Sequence, residues 1–203
     1  MNGRLFVEVF VTLFVIMDPP GAVPIFLAVT RRLERRERHR AALLASATAL
    51  AVIATFGVAG QQILDYLHVT IPAMQGAGGL LLLLVALQLL TGKESEVAEA
   101  DPSQRNSIAM VPLGTPLLAG PGAIVAVIVF VSGNRAWSDR SAIAVAVLAV
   151  LFCVFLALRF SGLLMRLLRP TGVLLISRIA GILLASIAVQ MIATSVLAFA
   201  EQA

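Results

Sequence analysis

The stretch VIMDPPGAVP, residues 15–24, decides the fold of this chain. It lies within an apolar run at about residues 5–29, which is long enough for a helix to cross ~30 Å of hydrocarbon. Two adjacent prolines interrupt that helix, because each removes a backbone hydrogen bond and clashes with the preceding turn, at a cost of about 3 kcal/mol or more. Within a bilayer such a break persists only where protein or a wet cavity surrounds it. We therefore predict a discontinuous first membrane span with Asp18 at the break.

The composition of the whole chain indicates a membrane protein. Of its 203 residues, 60% are hydrophobic and 13% are charged, whereas soluble domains carry about 25% charged residues. Apolar runs between polar breaks predict six transmembrane helices, at 5–29, 41–63, 71–91, 107–131, 141–164 and 172–199. We therefore expect an all-α integral membrane protein with a single membrane domain, residues 1–203, in contact with the lipid bilayer.

The residue content argues against several other classes of protein. The single cysteine, Cys153, lies in an apolar run, so neither a disulfide framework nor a cysteine metal cluster is expected. The chain has no Gly-x-x-x-x-Gly-Lys phosphate loop. Its few aromatic residues, 6%, and its arginines at span ends argue against nucleic-acid binding. His39 and His68 are expected on opposite membrane faces, where they cannot share a metal ion. We predict no metal, cofactor or nucleic-acid partner.

The distribution of positive charge predicts the orientation in the cytoplasmic (inner) membrane. Residues 31–40, between the first two spans, are rich in arginine, and the positive-inside rule places them in the cytoplasm. Twelve of the fifteen positive charges then face the cytoplasm, as does a linker at 92–106, and both termini lie outside. The N-terminal run is predicted to be an uncleaved span rather than a signal peptide. The basic segment has a second interpretation, as a site for anionic lipid or a partner protein.

An internal repeat relates the two halves of the chain. A shift of 101 residues aligns residues 20–22 with 121–123, and a shift of 102 aligns 79–82 with 181–184. The second shift also pairs two alanines and two glutamines, Ala86 with Ala188 and Gln88 with Gln190. Each unit contains three spans, an odd number, so the two units enter the membrane from opposite sides. We therefore expect two inverted three-helix repeats, 1–91 and 107–203, an architecture typical of secondary transporters.

A second break is predicted in the fourth span, where residues 112–122 read PLGTPLLAGPG. Both breaks fall near the middle of the bilayer, because Asp18 and Gly120 are each about 20 Å along a helix from the nearest flanking arginines. The half-helices that begin near Pro19 and Pro121 would direct unpaired N–H groups and partial positive charge at the centre, which favours an anion. The free carbonyls of residues 15–17 and the Asp18 carboxylate favour a cation. Together they predict a site for a small zwitterion.

The predicted site residues fall into two groups. The substrate contacts are small or polar residues at the two breaks: Asp18, Pro20, Gly21, Ala22, Thr115, Ala119, Gly120 and Gly122. A gate or repeat interface is predicted at three polar residues, namely Gln88, Gln190 and Arg178.

Asp18 and Arg178 have alternative interpretations. Asp18 binds the substrate ammonium, carries the coupling proton or ion, or serves only to cap the second half-helix ahead of Pro19. Arg178 pairs with Asp18, serves a gate, or extends to the membrane interface. The glycines at 76, 78 and 79 are expected to allow close packing of helices.

Three segments resemble the MarC-type integral membrane family, which is grouped with small neutral amino-acid transporters. They are residues 16–26, residues 111–122, and residues 178–181 together with 190–191. The resemblance covers nearly the whole chain and implies a six-span inner-membrane protein, with members that move glycine, alanine or similar amino acids. The chain departs from the family pattern at Ala22, where members often have Asn, and at Gln88, where they often have Lys.

We therefore expect a secondary transporter of the glycine, alanine and serine class, coupled to protons or sodium, which works by alternating access and is not an enzyme. The alternatives are an exporter of another small solute or drug, or a non-transport membrane scaffold. Drug export is disfavoured because the breaks lack the large aromatic residues that bind lipophilic cations. The sequence leaves the formation of a homo-oligomer open.

Overall fold

The computed structural model describes residues 2–30, 33–91, 118–134 and 136–201. In these ranges the regular structure is all-helical. The helices are α1 (Gly3–Met17), α2 (Pro19–Val29), α3 (Arg35–Tyr66), α4 (Ile71–Thr91), α5 (Pro121–Gly133), α6 (Trp137–Arg159) and α7 (Ser161–Ala200).

The expected membrane architecture is confirmed in its coarse form. Five segments are long and apolar enough to cross a bilayer: Gly3–Leu27, Arg35–Tyr66, Ile71–Thr91, Trp137–Arg159 and Thr171–Ala200. Helix α5 is a shorter apolar helix, and it corresponds to the second half of the predicted fourth span. The predicted linker 92–106 and the first half of that span, 107–117, lie outside the described residues.

The predicted break in the first span is confirmed. Helix α1 ends at Met17, Asp18 takes the left-handed conformation with φ 35° and ψ 70°, and α2 begins at Pro19. The backbone stays connected across the break, because the Asp18 N–H donates to the Phe14 carbonyl and the Asp18 carbonyl accepts from the Ala22 N–H, at 3.1 and 3.0 Å. The two half-helices are therefore joined by a sharp turn at one residue.

Helix α3 begins at Arg35, six residues before the predicted start of the second span at residue 41. Glu34 and Glu37 form a capping box. The Glu34 side chain accepts a hydrogen bond from the Glu37 N–H, and the Glu37 side chain accepts one from the Glu34 N–H. Arginine and glutamate are also good helix formers. Residues 35–40 are therefore the first turns of a helix rather than part of a basic loop.

The predicted end of the fifth span, residue 164, is wrong. Helix α6 ends at Arg159, Phe160 separates the two helices, and α7 begins at Ser161. Hydropathy did not reveal this boundary, because apolar residues continue on both sides of it. Helix α7 is interrupted at Arg169, which has φ 55° and ψ 164°. Its membrane-length part therefore begins at Thr171, one residue from the predicted 172.

The broken first span lies inside the helical bundle. Helices α1 and α2 pack against α6 and α7, α3 packs against α5 and α6, and α4 packs against α5 and, most extensively, against α7. The segment Gly3–Leu27 is the most buried of the five membrane-length segments, with Val9, Leu13 and Phe26 fully enclosed. This packing surrounds the break with protein rather than lipid, as the freed backbone groups require.

Candidate functional site: the break at Asp18

The Asp18 side chain is buried and incompletely satisfied. Its residue is 8% exposed, and its Oδ2 atom has no hydrogen-bond partner among the described residues. Asp18 occupies the N-cap position of α2, but its side chain makes no capping hydrogen bond. Capping alone therefore does not account for this carboxylate, and an intramembrane acid with a free oxygen is a candidate for binding a cation or proton.

Gly21 and Ser177 form the immediate surroundings of this carboxylate. A Cβ atom at Gly21 would overlap the Asp18 carboxylate and would lie 2.8 Å from Ser177 Oγ. Gly21 therefore provides the space that the carboxylate occupies, in addition to its predicted place in the substrate site. Ser177, on α7, is 5% exposed and reaches the same point from a helix distant in sequence.

Ser177 is a site residue that the sequence analysis missed. The only signal in the sequence was its position next to Arg178, a predicted site residue. Arg178 itself is exposed and makes no ion pair with Asp18. Successive residues point in directions about 100° apart on a helix, so burying Ser177 against the break turns Arg178 away from it.

The second predicted break is described from Leu118 onward, so Thr115 lies outside the described residues. Helix α5 begins at Pro121 as predicted, after Gly120 in an extended conformation with φ −61° and ψ 163°. No described atom lies within 4 Å of a Cβ built at Gly120.

The start of α5 lies beside the end of α1. A Cβ at Gly122 would overlap Leu82 of α4 and would lie 3.6 Å from Ile16 Cγ2, an ordinary van der Waals distance. Ile16 is in the last turn of α1, two residues before Asp18. The packing of the last turn of α1 on the first turn of α5 thus brings together the two segments that the sequence analysis selected.

The remaining predicted contacts form the walls of this region. Ala22 and Ala119 are 6% and 3% exposed and belong to one hydrophobic cluster, while Pro20 is half-buried. Small side chains at these positions keep the helices close and leave little volume for a bound molecule.

The break offers groups of both polarities to a ligand. Pro19 and Pro20 have no N–H, and no described backbone donor reaches the carbonyls of Val15 and Ile16. These carbonyls and the Asp18 carboxylate favour a cation, whereas the N-terminus of α5, where the Gly122 N–H has no described backbone partner, favours an anion. No group of metal-binding side chains occurs among the described residues.

The two glutamines lie away from Asp18. Gln88 is on an exposed face of α4 and Gln190 on an exposed face of α7. Their neighbours make the contact between these helices, where a Cβ at Gly79 would lie 2.8 Å from the Ala188 carbonyl oxygen and a Cβ at Gly181 would lie 3.2 Å from that of Ala86. The role of the glutamines as a gate stays a prediction.

The fold and site together define a multi-pass helical membrane protein with a broken first helix around a buried carboxylate. The chain belongs to the MarC family, since the model for the family described as MarC family integral membrane protein matches residues 3–199. The resemblance noted from the sequence is thereby confirmed over almost the whole chain.

The relatives are proteins of similar length from distant organisms. The chain is 34% identical to a protein of Aquifex aeolicus, over 94% of this chain and 91% of the relative. It is 36% identical to one of Archaeoglobus fulgidus (90% and 88% covered) and 29% identical to one of Escherichia coli (95% and 92% covered). All three are described as UPF0056 membrane proteins, a name that gives no activity or substrate. No solved structure matches the chain.

Proposed function

We propose that the chain is a secondary transporter of small neutral amino acids of the glycine, alanine and serine class. The observation that carries this proposal is the buried Asp18 carboxylate, one oxygen of which has no hydrogen-bond partner among the described residues, at a helix break beside the N-terminus of a second half-helix. The ammonium group of the substrate binds Asp18 and the unpaired carbonyls. The substrate carboxylate binds the Gly122 N–H in the first turn of α5, where the helix dipole is positive.

The walls of the site set the size of the substrate. Neighbouring side chains already fill the space beside Gly21 and Gly122. Ala22 and Ala119 are packed in the apolar cluster. In the proposed mechanism, a hydrogen, methyl or hydroxymethyl side chain requires the smallest separation of the helices, and larger side chains require a greater one. This favours small neutral amino acids over drug-like solutes.

Alternating access of two inverted repeats is the proposed mechanism, and the helix contacts support it. The two-fold relation exchanges the first span with the fourth, α3 with α6, and α4 with α7. Under this exchange, the contacts of α6 with the first span become the α3–α5 contact. The same exchange converts the α2–α7 contact into the α4–α5 contact, and the α4–α7 and α3–α6 contacts map onto themselves.

The glycines of the α4–α7 crossing support the same two-fold relation at the level of atoms. Gly79 packs against the carbonyl of Ala188 and against Ile192, whereas Gly181 packs against the carbonyl of Ala86 and against Leu90. Each residue of the second contact is the partner, at the shift of 102, of a residue in the first: Gly181 of Gly79, Ala86 of Ala188, and Leu90 of Ile192. Such reciprocal contacts are expected of repeats related by a pseudo-two-fold axis.

Both termini are proposed to face outward from the cytoplasmic membrane. The start of α3, with Arg35, Arg38 and His39, adjoins Arg159 at the end of α6. At the other end of α6, near its start, Asp139 accepts a hydrogen bond from Asn2, which precedes α1. The more basic end is the cytoplasmic one by the positive-inside rule.

Counterflow tests the proposed function. Purified protein in liposomes preloaded with unlabelled alanine should take up labelled glycine, alanine and serine, and imposed proton or sodium gradients should change the accumulation. Empty liposomes and labelled tryptophan serve as controls. Absence of counterflow for all three small amino acids would contradict the proposed function.

A further inference from the structure

A cleft of about 440 Å³ lies between α1, α5 and α7, on the side of the break that faces the N-terminus. Polar side chains converge on it from two helices, with Glu8 and Thr12 on α1 and Ser186 and Gln190 on α7. Helix α5 contributes the apolar residues Ala126 and Phe130. Among the residues that line the cleft, Gln190 is the one that the sequence predicts to have a role, in a gate or repeat interface.

Four of the nine residues that line the cleft are polar and five are apolar, and we infer that water enters the cleft along its polar side. Glu8 lies in the predicted first span, and a charged or amide side chain in contact with lipid tails is costly. The Ser186 hydroxyl donates to the Ile182 carbonyl of its own helix, and the other three polar side chains avoid that cost if the cleft is hydrated. A volume of about 440 Å³ is also far larger than the ~30 Å³ that one water molecule occupies in the liquid.

The cleft is directed at Asp18. Residues four positions apart lie on the same face of a helix. One such row of residues on α1 faces a similar row on α5, and the residue numbers increase in opposite directions along the two rows. They are Glu8, Thr12 and Ile16 on α1, and Phe130, Ala126 and Gly122 on α5. The first two pairs line the cleft, and the third pair continues both rows toward the break, where a Cβ at Gly122 would lie 3.6 Å from Ile16 Cγ2. Asp18 follows two residues beyond Ile16, about 15 Å along the axis from Glu8.

We propose that this cleft is the water-filled vestibule through which solute reaches Asp18 from the face that holds the N-terminus, and that Glu8 attracts the cationic group of that solute. The identity of the solute as a small amino acid rests on the proposed function, whereas the presence of water and the charge preference do not. Ile16, packed on Gly122, is the barrier between vestibule and site.

Thiol labelling tests for water independently of transport. All variants carry Cys153→Ala, so that each has a single introduced cysteine. The test variants replace Thr12 or Gln190 in the cleft, and the matched controls replace their exposed neighbours Val11 or Val189. A charged, membrane-impermeant methanethiosulfonate is added to intact cells. T12C and Q190C should react at least about tenfold faster than V11C and V189C, because only a hydrated thiol ionises to the reactive thiolate. Equal rates within each pair, in variants that elute as the parent does on size exclusion, would overturn the vestibule.

The charge of the reagent tests the role of Glu8. At T12C a cationic reagent should react faster than an anionic one of the same size, and E8Q should reduce that ratio about fivefold to tenfold. A ratio that E8Q leaves unchanged would overturn the proposed attraction. Excess alanine should slow the labelling of T12C. Labelling that alanine does not affect would support the vestibule and count against the proposed substrate, so the two proposals fail separately.

Discussion

At the scale of single residues, the break depends on a strained aspartate and on the glycine beside it. A left-handed conformation costs an ordinary residue roughly 1–2 kcal/mol, and Asp18 holds it while one of its carboxylate oxygens has no partner in the part of the chain that the structure describes. The left-handed conformation and the carboxylate oxygen without a described partner both cost folding free energy, and a role in capping α2 explains neither. Strain and an unsatisfied acid at one buried position point to a function for that position.

Gly21→Ala should therefore be more harmful than its size suggests. Its new methyl group meets the Asp18 carboxylate and the Ser177 hydroxyl, so we expect a loss of stability of about 1–3 kcal/mol together with displacement of the carboxylate. The measurement is thermal unfolding in detergent, with Gly162→Ala as the control, since a Cβ at Gly162 has no described atom within 4 Å. Equal melting temperatures for the two variants would contradict the proposed contact.

At the scale of helices, the sequence predicted what depends on local chemistry. The break at Asp18 and the starts of α2 and α5 follow from prolines, and the bounds of α4 at residues 71 and 91 were predicted correctly because polar residues flank that span. The start of α3 was missed because an arginine-rich segment suits both a loop and a helix. Ser177 was missed because its contact with Asp18 depends on how α7 is rotated against α2, which no local pattern reveals.

The α4–α7 crossing gives a prediction about paired helices. Gly79→Ala and Gly181→Ala each place a methyl group against a backbone carbonyl of the other helix, at 2.8 and 3.2 Å. Each should lower stability by about 1–3 kcal/mol, with the larger loss at Gly79, because the backbone cannot move aside as a side chain does. Gly172→Ala, where the nearest atom is at 3.6 Å, is the control and should change stability by less than about 0.5 kcal/mol. Unfolding curves for the two crossing variants that match this control would argue against close contact of the repeats.

At the scale of the whole molecule, the inverted repeat requires an odd number of spans in each unit. Reporter fusions should then place a fusion after residue 100 in the cytoplasm and one at the C-terminus outside, as active cytoplasmic and periplasmic reporters respectively. A fusion after residue 30 should share the cytoplasmic location and serves as the control for the first span. Reporters active on the same side at residue 100 and at the C-terminus would require an even number of spans in the second unit, which is incompatible with inversion.

The central claim is that Asp18, in the break of the first span, binds the transported amino acid or its coupling ion. The most direct test is accumulation of labelled alanine in liposomes under an imposed proton gradient, with wild type and Asp18→Asn measured side by side. We predict that the asparagine variant unfolds at the wild-type temperature but loses transport, or loses its response to the gradient. Accumulation by D18N at the wild-type level, with the wild-type dependence on pH, would contradict the claim.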